Sequence, residues 1–567
     1  MKNSVLINQD ERFGKAVHAD IKRSTFYRNS GKKTTFNAGD IVPIYIDEIL
    51  PGDTFKMDMS FVSRMTTPIY ATMDNLELDF YAFFTPTRLL WTNWQALNGE
   101  NKSSAWVPTT PPSLVPVYPG PTENDYIVES GSLLDYLDIP VGTNLRYTHI
   151  SALPIRNYYL VWNEWFRDQN LQAPLYLYLN NTESFHSNNR APIQAASICK
   201  ANKKHDYFTS ALPAPQKGES QLIPIELNEL IPIISRDVEI DFQLRTQNAP
   251  TKFRAESGVV ATNGTMGVNG SSIGPEGNYG TLNVHEGLPS GDLLTAGLYP
   301  SNLWADGRGL NISGSTISEL RTALQLQKLY EKDARGGTRY VEMLKSHFGV
   351  EAQDYRLQRP EFLGKISSTV GIHQVAQTSS TDDTSPQGNI SAFAYGSGSS
   401  GLFEKSFVEH GYLMIVAVAR QVKTYQNGID KMWFRRDRFD FYYPTLANIS
   451  EQPILNREIF VSGTSVDEEV FGYQEAWADY RYKPSKISGK MRSGISGSFD
   501  AYHYADYYTS LPTLSDTWIR DNSKTNVDRT LAVSSAVADQ IMLDVAFTCK
   551  ATRPMPVYSI PGNVDHF

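Results

Sequence analysis

Few residue groupings in this 567-residue chain could do chemistry, and most lack the frame that their chemistry needs. Gly396-Ser-Gly398-Ser-Ser-Gly401 matches GxGxxG, but a dinucleotide fingerprint requires a helix opening on the motif and an acidic residue about 20 positions later. Here a Gly/Ser stretch runs into more β-like sequence, so nucleotide binding is not expected. Asp47, Glu48, Glu77 and Asp79 could supply a glycosidase pair in principle, yet they sit among alternating apolar residues and read as the wet faces of strands. The ten His are scattered, and Glu409-His410 reads as a structural pair. Cys199 and Cys549 make neither a disulfide framework nor a CxxC or zinc cluster. GxxxxGK[ST], HExxH, GxSxG and EF-hand patterns are absent from the sequence. No catalytic, cofactor-binding or metal residue is assigned, and a binding or structural role is favoured over an enzyme.

Two stretches carry binding chemistry instead. Residues 1–35 hold eight Lys/Arg against three acids, and Lys15, Lys22, Arg23, Arg28, Lys32 and Lys33 could meet phosphates by counterion release. The same strand-poor arm could equally be a solvated terminus or run along a neighbouring subunit. Residues 257–315 are rich in Gly, Asn and Ser, with Tyr279, Tyr299 and Trp304 as sparse aromatics. Adaptable polar residues around aromatic anchors are the composition of a binding surface, and an insertion this long is a functional or a disordered loop.

The elements that must position these groups are mostly strands. Val42, Ile44 and Ile46 alternate with polar or outward partners, as do Phe55 to Phe61 and Leu76 to Ala82. That is a period-two burial signal. Aromatics on both faces near Phe83 predict a strand covered on both sides. Val238–Leu244 reads as a further strand, Leu413–Ala419 as one buried on both faces, and Ile541–Cys549 as another alternating strand. A short helix is predicted at 89–97 and a longer one from Pro154 to Asn170, its aromatic stripe packed on the sheet or on a neighbour. A capping box at Thr316 to Glu319 opens packing helices that Gly336-Gly337 interrupts. Ser367–Gly401 reads as a loop. Strands at both ends of the chain imply one mainly-β sandwich with decorated loops.

Net charge is −9, so any nucleic-acid contact must be local. The N-terminus lacks the apolar core of a signal peptide, and the longest apolar run is too short to span a bilayer. A soluble protein made in a reducing cytoplasm is expected.

Long ordered stretches then resemble one family. FNAGDIVPIYIDEILPGDTF (Phe36–Phe55), MDNLELDFYAFFTPTRLLWTNW (Met73–Trp94), LPIRNYYLVWNEWFRDQNL (Leu153–Leu171), DYFTSALPAPQKG (Asp206–Gly218), ARGGTRYVEMLKSHFGV (Ala334–Val350), FEKSFVEHGYLMIVAVAR (Phe403–Arg420) and EEVFGYQEAWADYRYKPSKISGKMRSG (Glu468–Gly494) closely resemble the major capsid protein of gokushoviruses, Microviridae with circular single-stranded DNA. The resemblance covers nearly the whole chain outside the Gly/Asn-rich insertion. It implies an eight-stranded antiparallel jelly-roll β-sandwich with long helix-bearing insertions, organised as a basic arm (1–35) and one capsid domain (36–567). A surface protrusion is inserted at about 220–316, near the threefold axes, and is the family's host-recognising element. It implies a T=1 shell of sixty copies with two-, three- and fivefold contacts, found in the virion and assembled in the bacterial cytoplasm. The implied partners are the chain itself, the single-stranded DNA genome, an internal scaffolding protein, a small basic DNA-binding protein, a pilot protein and a host-cell surface receptor. A lectin-like carbohydrate-binding sandwich is the alternative reading, and a β-rich polysaccharide hydrolase a more distant one.

Overall fold

The computed structural model describes residues 22–98, 115–118, 126–145, 150–180, 196–219, 317–381 and 386–558, a few single positions besides, and the backbone pairing of six short strands between 226 and 313. Nine longer strands build the main sheet: β1 (Ser24–Tyr27), β2 (Ser30–Phe36), β3 (Val42–Ile49), β4 (Thr54–Met65), β5 (Leu76–Pro86), β6 (Glu361–Ala376), β7 (Ile390–Ser406), β8 (Gly411–Gln421) and β9 (Ile541–Arg553). β1 and β2 lie in tandem along one edge of β9, and the order continues β9-β4-β7-β6-β5-β8-β3, antiparallel throughout.

The far ends of this ribbon meet. Tyr45 of β3 packs on Phe547 of β9 with ring centroids 4.9 Å apart, and Phe61 of β4 on Phe80 of β5 at 4.7 Å. The sheet therefore curls into the expected sandwich. Its interior is filled by inward residues such as Phe55, Met57, Leu78, Leu413, Ile415, Val545 and Phe547. β8 is buried on both faces, as its unbroken apolar run predicts: Leu413, Ile415 and Ala417 face that interior, while Met414, Val416 and Val418 join a second core. The helix α1 (Leu153–Val161) covers the second core and ends in one wider turn, Trp162–Phe166. Trp165 lies 5.5 Å and Phe166 6.1 Å from the ring of Phe83 on β5. The aromatic stripe read from the sequence is thus core.

Three expectations change. Ser367–Gly401 is not a loop but most of β6 and β7. Ala392, Ala394 and Gly396 are buried while Phe393, Tyr395 and Ser397 face outward, so the period-two pattern is present with its hydrophobicity inverted. Small inward residues are required there by what lies against them. Gly398 pairs with Phe61 of β4, and a Cβ at Gly398 would stand 2.8 Å from that ring. An aromatic ring covering a strand glycine restores the packing that the glycine lacks. Residues 24–36 are likewise strands rather than a strand-poor arm, because the edge of β9 offers backbone donors and acceptors that polar, Lys- and Thr-rich segments satisfy as well as apolar ones. The helix α2 (Ile317–Arg335) forms, as does α3 (Tyr340–Phe348), but Leu324 is 58% exposed and Phe348 72%, so neither helix buries these residues. The strand read at Val238–Leu244 lies outside the described residues.

By contacts the chain separates into two compact units, residues 1–219 with 329–567, and residues 220–328. Within the second unit, short strands pair in nested fashion: Glu226–Leu227 with Ile312–Ser313, Ile233–Ser235 with Leu303–Ala305, and Phe253–Ala255 with Leu298–Pro300.

Gly398→Ala should destabilise the purified chain by about 1–3 kcal/mol, because the added methyl overpacks against Phe61. The same change in a Phe61→Leu background should cost measurably less, as denaturant midpoints of the four-member cycle would report.

Candidate nucleic-acid interface

β1 and β2 place the basic residues of the arm, and Asp47 on β3 together with Tyr136 and Asp138 decides which of them stay available. Lys15 lies outside the described residues. Lys22 is exposed just ahead of β1. Arg23 is exposed and donates to Thr54 Oγ1 at 2.7 Å. Arg28 forms a two-pronged pair with Asp47, with Nη2 to Oδ1 at 3.0 Å. Lys32, its side chain only 14% exposed, donates to the Tyr136 carbonyl at 2.5 Å and meets Asp138 at 2.8 Å. Lys33 is 83% exposed, 3.4 Å from Asp544. Arg28 and Lys32 are internal fasteners, and Lys22, Arg23 and Lys33 keep their charge at the surface. A cleft of about 770 Å³ beside β2 holds Lys32, Lys33 and Arg64 together with Asp135, Asp138, Asp539 and Asp544. Its mixed sign gives no concentrated positive field for phosphates.

The sequence-stated anchors of the insertion are placed only by backbone. Tyr299 sits opposite Arg254 and Trp304 opposite Ile234 in the nested pairs, and Tyr279 lies outside the described residues.

The carboxylates that could have paired for hydrolysis are each tied into the scaffold. Asp79 is fully buried and accepts from Ser367 Oγ at 2.5 Å and Tyr81 Oη at 3.0 Å, with Lys365 and Arg420 each 3.1 Å away. Burial alone would raise its pKa; the Ser367 hydroxyl and the surrounding cations overcome that and hold it below the usual carboxylate range. Glu77 is ion-paired with Lys204, and Glu48 accepts from Tyr412 Oη at 3.2 Å. Glu409 pairs with Arg88 at 2.7 Å. Cys199 and Cys549 are both buried thiols. Among the described residues no group of three His, Cys, Asp or Glu could hold a metal ion, and no described helix is long and apolar enough to cross a membrane.

A second cluster joins four loops beside the sandwich. Asp506 is fully buried and accepts from Asn526 Nδ2 at 2.6 Å, Gln421 Nε2 at 3.0 Å, Asn522 Nδ2 at 3.1 Å and Tyr508 Oη at 3.1 Å. Lys423 Nζ stands 3.6 Å from it and 3.0 Å from Asp521; Lys203 Nζ stands 3.9 Å from Asp506 and 4.2 Å from the centre of the Trp518 ring. Burial pushes against the Asp506 charge, but Lys423 and Lys203 outweigh it and keep the carboxyl below its ordinary value. Burial pushes Lys203 down to about 8. Such a network is cement between loops, with Asp506 held by four hydrogen bonds and by Lys423 and Lys203.

Sequence reasoning passed over residues 431–443, Lys-Met-Trp-Phe-Arg-Arg-Asp-Arg-Phe-Asp-Phe-Tyr-Tyr. The interleaving of cations and aromatics was the available signal, and it has neither strand nor helix period. The structure sets this stretch on the surface in short 3-10 turns, with Trp433 and Phe439 projecting.

A family model described as capsid protein (F protein) matches residues 15–563. The capsid protein VP1 of Spiroplasma virus 4 is 42% identical over 554 residues, covering 96% of this chain and 95% of the relative. Those of Chlamydia phage 1 and Bdellovibrio phage phiMH2K are each 38% identical, covering 97% and 98% of this chain and the same shares of the relatives.

Asp506→Ala should cost about 3–5 kcal/mol, because it removes the carboxylate that holds Lys203, leaves Lys423 with Asp521 alone, and strips four hydrogen bonds of their acceptor. Lys203→Met should be close to neutral. In the folded chain Lys203 loses its proton near 8 rather than 10.5, so across that window the unfolded state binds more protons and the wild type should gain stability on Lys203→Met as pH rises. Urea midpoints at pH 7.5 and 9.5 measure both.

Proposed function

The chain belongs to the capsid protein (F protein) family, and from that premise we propose that sixty copies close a T=1 shell around a circular single-stranded DNA genome. Its role as a major capsid protein of a gokushovirus, a structural component of the virion and not an enzyme, rests on relatives matched over nearly their full length. That match carries the reading, and it sets aside the lectin-like alternative. Self-association into a shell follows from the family, because one chain repeated by closed symmetry must carry several unlike contacts. The eight-stranded jelly-roll connectivity, the two-, three- and fivefold contacts and assembly in the host cytoplasm are the finer parts of this proposal.

Within it, Lys15, Lys22, Arg23 and Lys33 face the genome, and Arg28 and Lys32 hold the arm against the sheet. What supports the division is the exposure of Lys22, Arg23 and Lys33 against the internal pairing of Arg28 and Lys32. Residues 220–316 form a surface protrusion that contacts a host-cell receptor, with Tyr279, Tyr299 and Trp304 as anchors. Support comes from their Gly/Asn/Ser-rich setting and from the compact unit spanning 220–328. An internal scaffolding protein, a small basic DNA-binding protein and a pilot protein complete the assembly.

Sedimentation of the native protein from its producing cells, followed at 260 and 280 nm, should show a homogeneous particle with nuclease-resistant DNA; a monomer or dimer without DNA would refute the shell. Deleting residues 262–305 should leave particles intact and abolish adsorption, whereas loss of particles would make the insertion a clamp between subunits. Lys22→Glu, Arg23→Glu and Lys33→Glu together should lower the packaged DNA and its nuclease protection, and unchanged packaging would remove the arm from the genome contact.

A further inference from the structure

We infer that residues 431–450 form a preformed ridge that docks on a second copy of this chain and is required to close the shell; this rests on the capsid reading. Across these twenty consecutive positions no residue is buried, although Trp433 is 72%, Phe439 76%, Met432 51% and Phe441 48% exposed. An exposed apolar surface of this kind marks an interaction site.

The ridge is held open by its own scaffold. Trp477 Nε1 donates to the Leu446 carbonyl at 2.9 Å, and Arg435 pairs with Asp479 while donating to the Asp440 carbonyl at 2.9 Å. The Asp440 carboxylate accepts from the Arg436 and Asp437 backbone N–H groups at 2.8 and 2.9 Å. A backbone fixed in this way loses little freedom on docking, so more of the contact energy is left for binding.

Composition and geometry choose the occupant. The stretch holds Trp, Phe, Tyr, Met and Arg, with a single Lys and no Glu, the make-up of the buried centre of a protein–protein contact. Single-stranded nucleic acid would need open ring faces on which bases stack. Here Arg457 covers the ring of Phe434 at 3.8 Å, Arg438 that of Tyr443 at 5.3 Å, and Arg435 that of the neighbouring Tyr480 at 4.2 Å, while Trp433 and Phe439 stay exposed, so base stacking would be confined to those two rings. Met432 and Ile449 offer bases nothing to stack on. Charge points the same way. With the adjoining 480–492, the ridge carries nine Lys/Arg against two Asp; Arg435, Arg481 and Lys486 are paired with Asp479, Glu475 and Asp430, and the excess that is left favours a negative surface, which the remainder of another copy, in a chain of net charge −9, can supply.

Trp433→Glu and Phe439→Glu, made in cells that otherwise produce shells, test the inference beside Phe439→Trp. Lysate sedimentation should show particles reduced by about tenfold or more for the Glu variants, a loss of at least one decade in association, with soluble subunits of unchanged melting temperature. Phe439→Trp should assemble. Glu variants that assemble and package normally would overturn the inference. So would Glu variants that form shells and lose only nuclease-resistant DNA, since the ridge would then face the genome. Should the Glu variants fail to fold, hydrogen exchange of 431–450 decides: slower exchange in DNA-free wild-type shells than in released subunits supports docking, and equal exchange refutes it. Wild-type protein that forms no particle would overturn the capsid reading and this inference with it.

Discussion

The structure depends on one strand being buried on both sides. β8 has no wet face: its odd positions fill the sandwich and its even positions fill the core beneath α1. Each large side chain buried there stabilises by roughly 1.5–3 kcal/mol, and the two cores are fastened together along one line of backbone. The neighbouring β5 shares the duty, with Phe80 and Phe84 on the inner side and Phe83 on the outer. The helix α1 and the wider turn that follows it are anchored to this pair.

A sandwich so constrained leaves polar chemistry only two places to go. Inside the chain it becomes fastening: Asp79, Asp506, Arg28 and Lys32 are satisfied by named partners and hold loops and edge strands in register. On the outside it stays exposed, in the cations of the first strands and in the ridge at 431–450, where recognition is proposed. A shell subunit needs this division, because its surfaces are shared among copies of itself and whatever the shell encloses or meets.

How much of this was legible follows from what a side chain has to do. β4, β5, β8 and β9 announce themselves, because their inward residues are large and apolar. β7 does not, since Gly398 must be small where Phe61 lies against it and Gly396 where Ser63 does, and a Gly/Ser run reads as loop until the partner strand is known. β1 and β2 were hidden for a different reason: strands on an edge are held by backbone pairing, so Lys and Thr serve as well as Val. The basic character of the arm was visible, but the loss of Arg28 to Asp47 and Lys32 to Asp138 depends on residues 19 and 106 positions away. The ridge was missed because residues that pack against another molecule carry no intramolecular period.

The placement of β9 has a consequence in time. It lies between β4 and the β1–β2 edge, so strands made at the start of synthesis wait for one made some five hundred residues later. At the usual pace of translation, about 5–20 residues per second, that wait is on the order of a minute. During it the β4 edge is an open template for other chains, and pairing across so long a separation is intrinsically slow. A nascent chain broken off before residue 541 can never cover that edge. The sandwich can therefore close along this edge only once β9 has been translated.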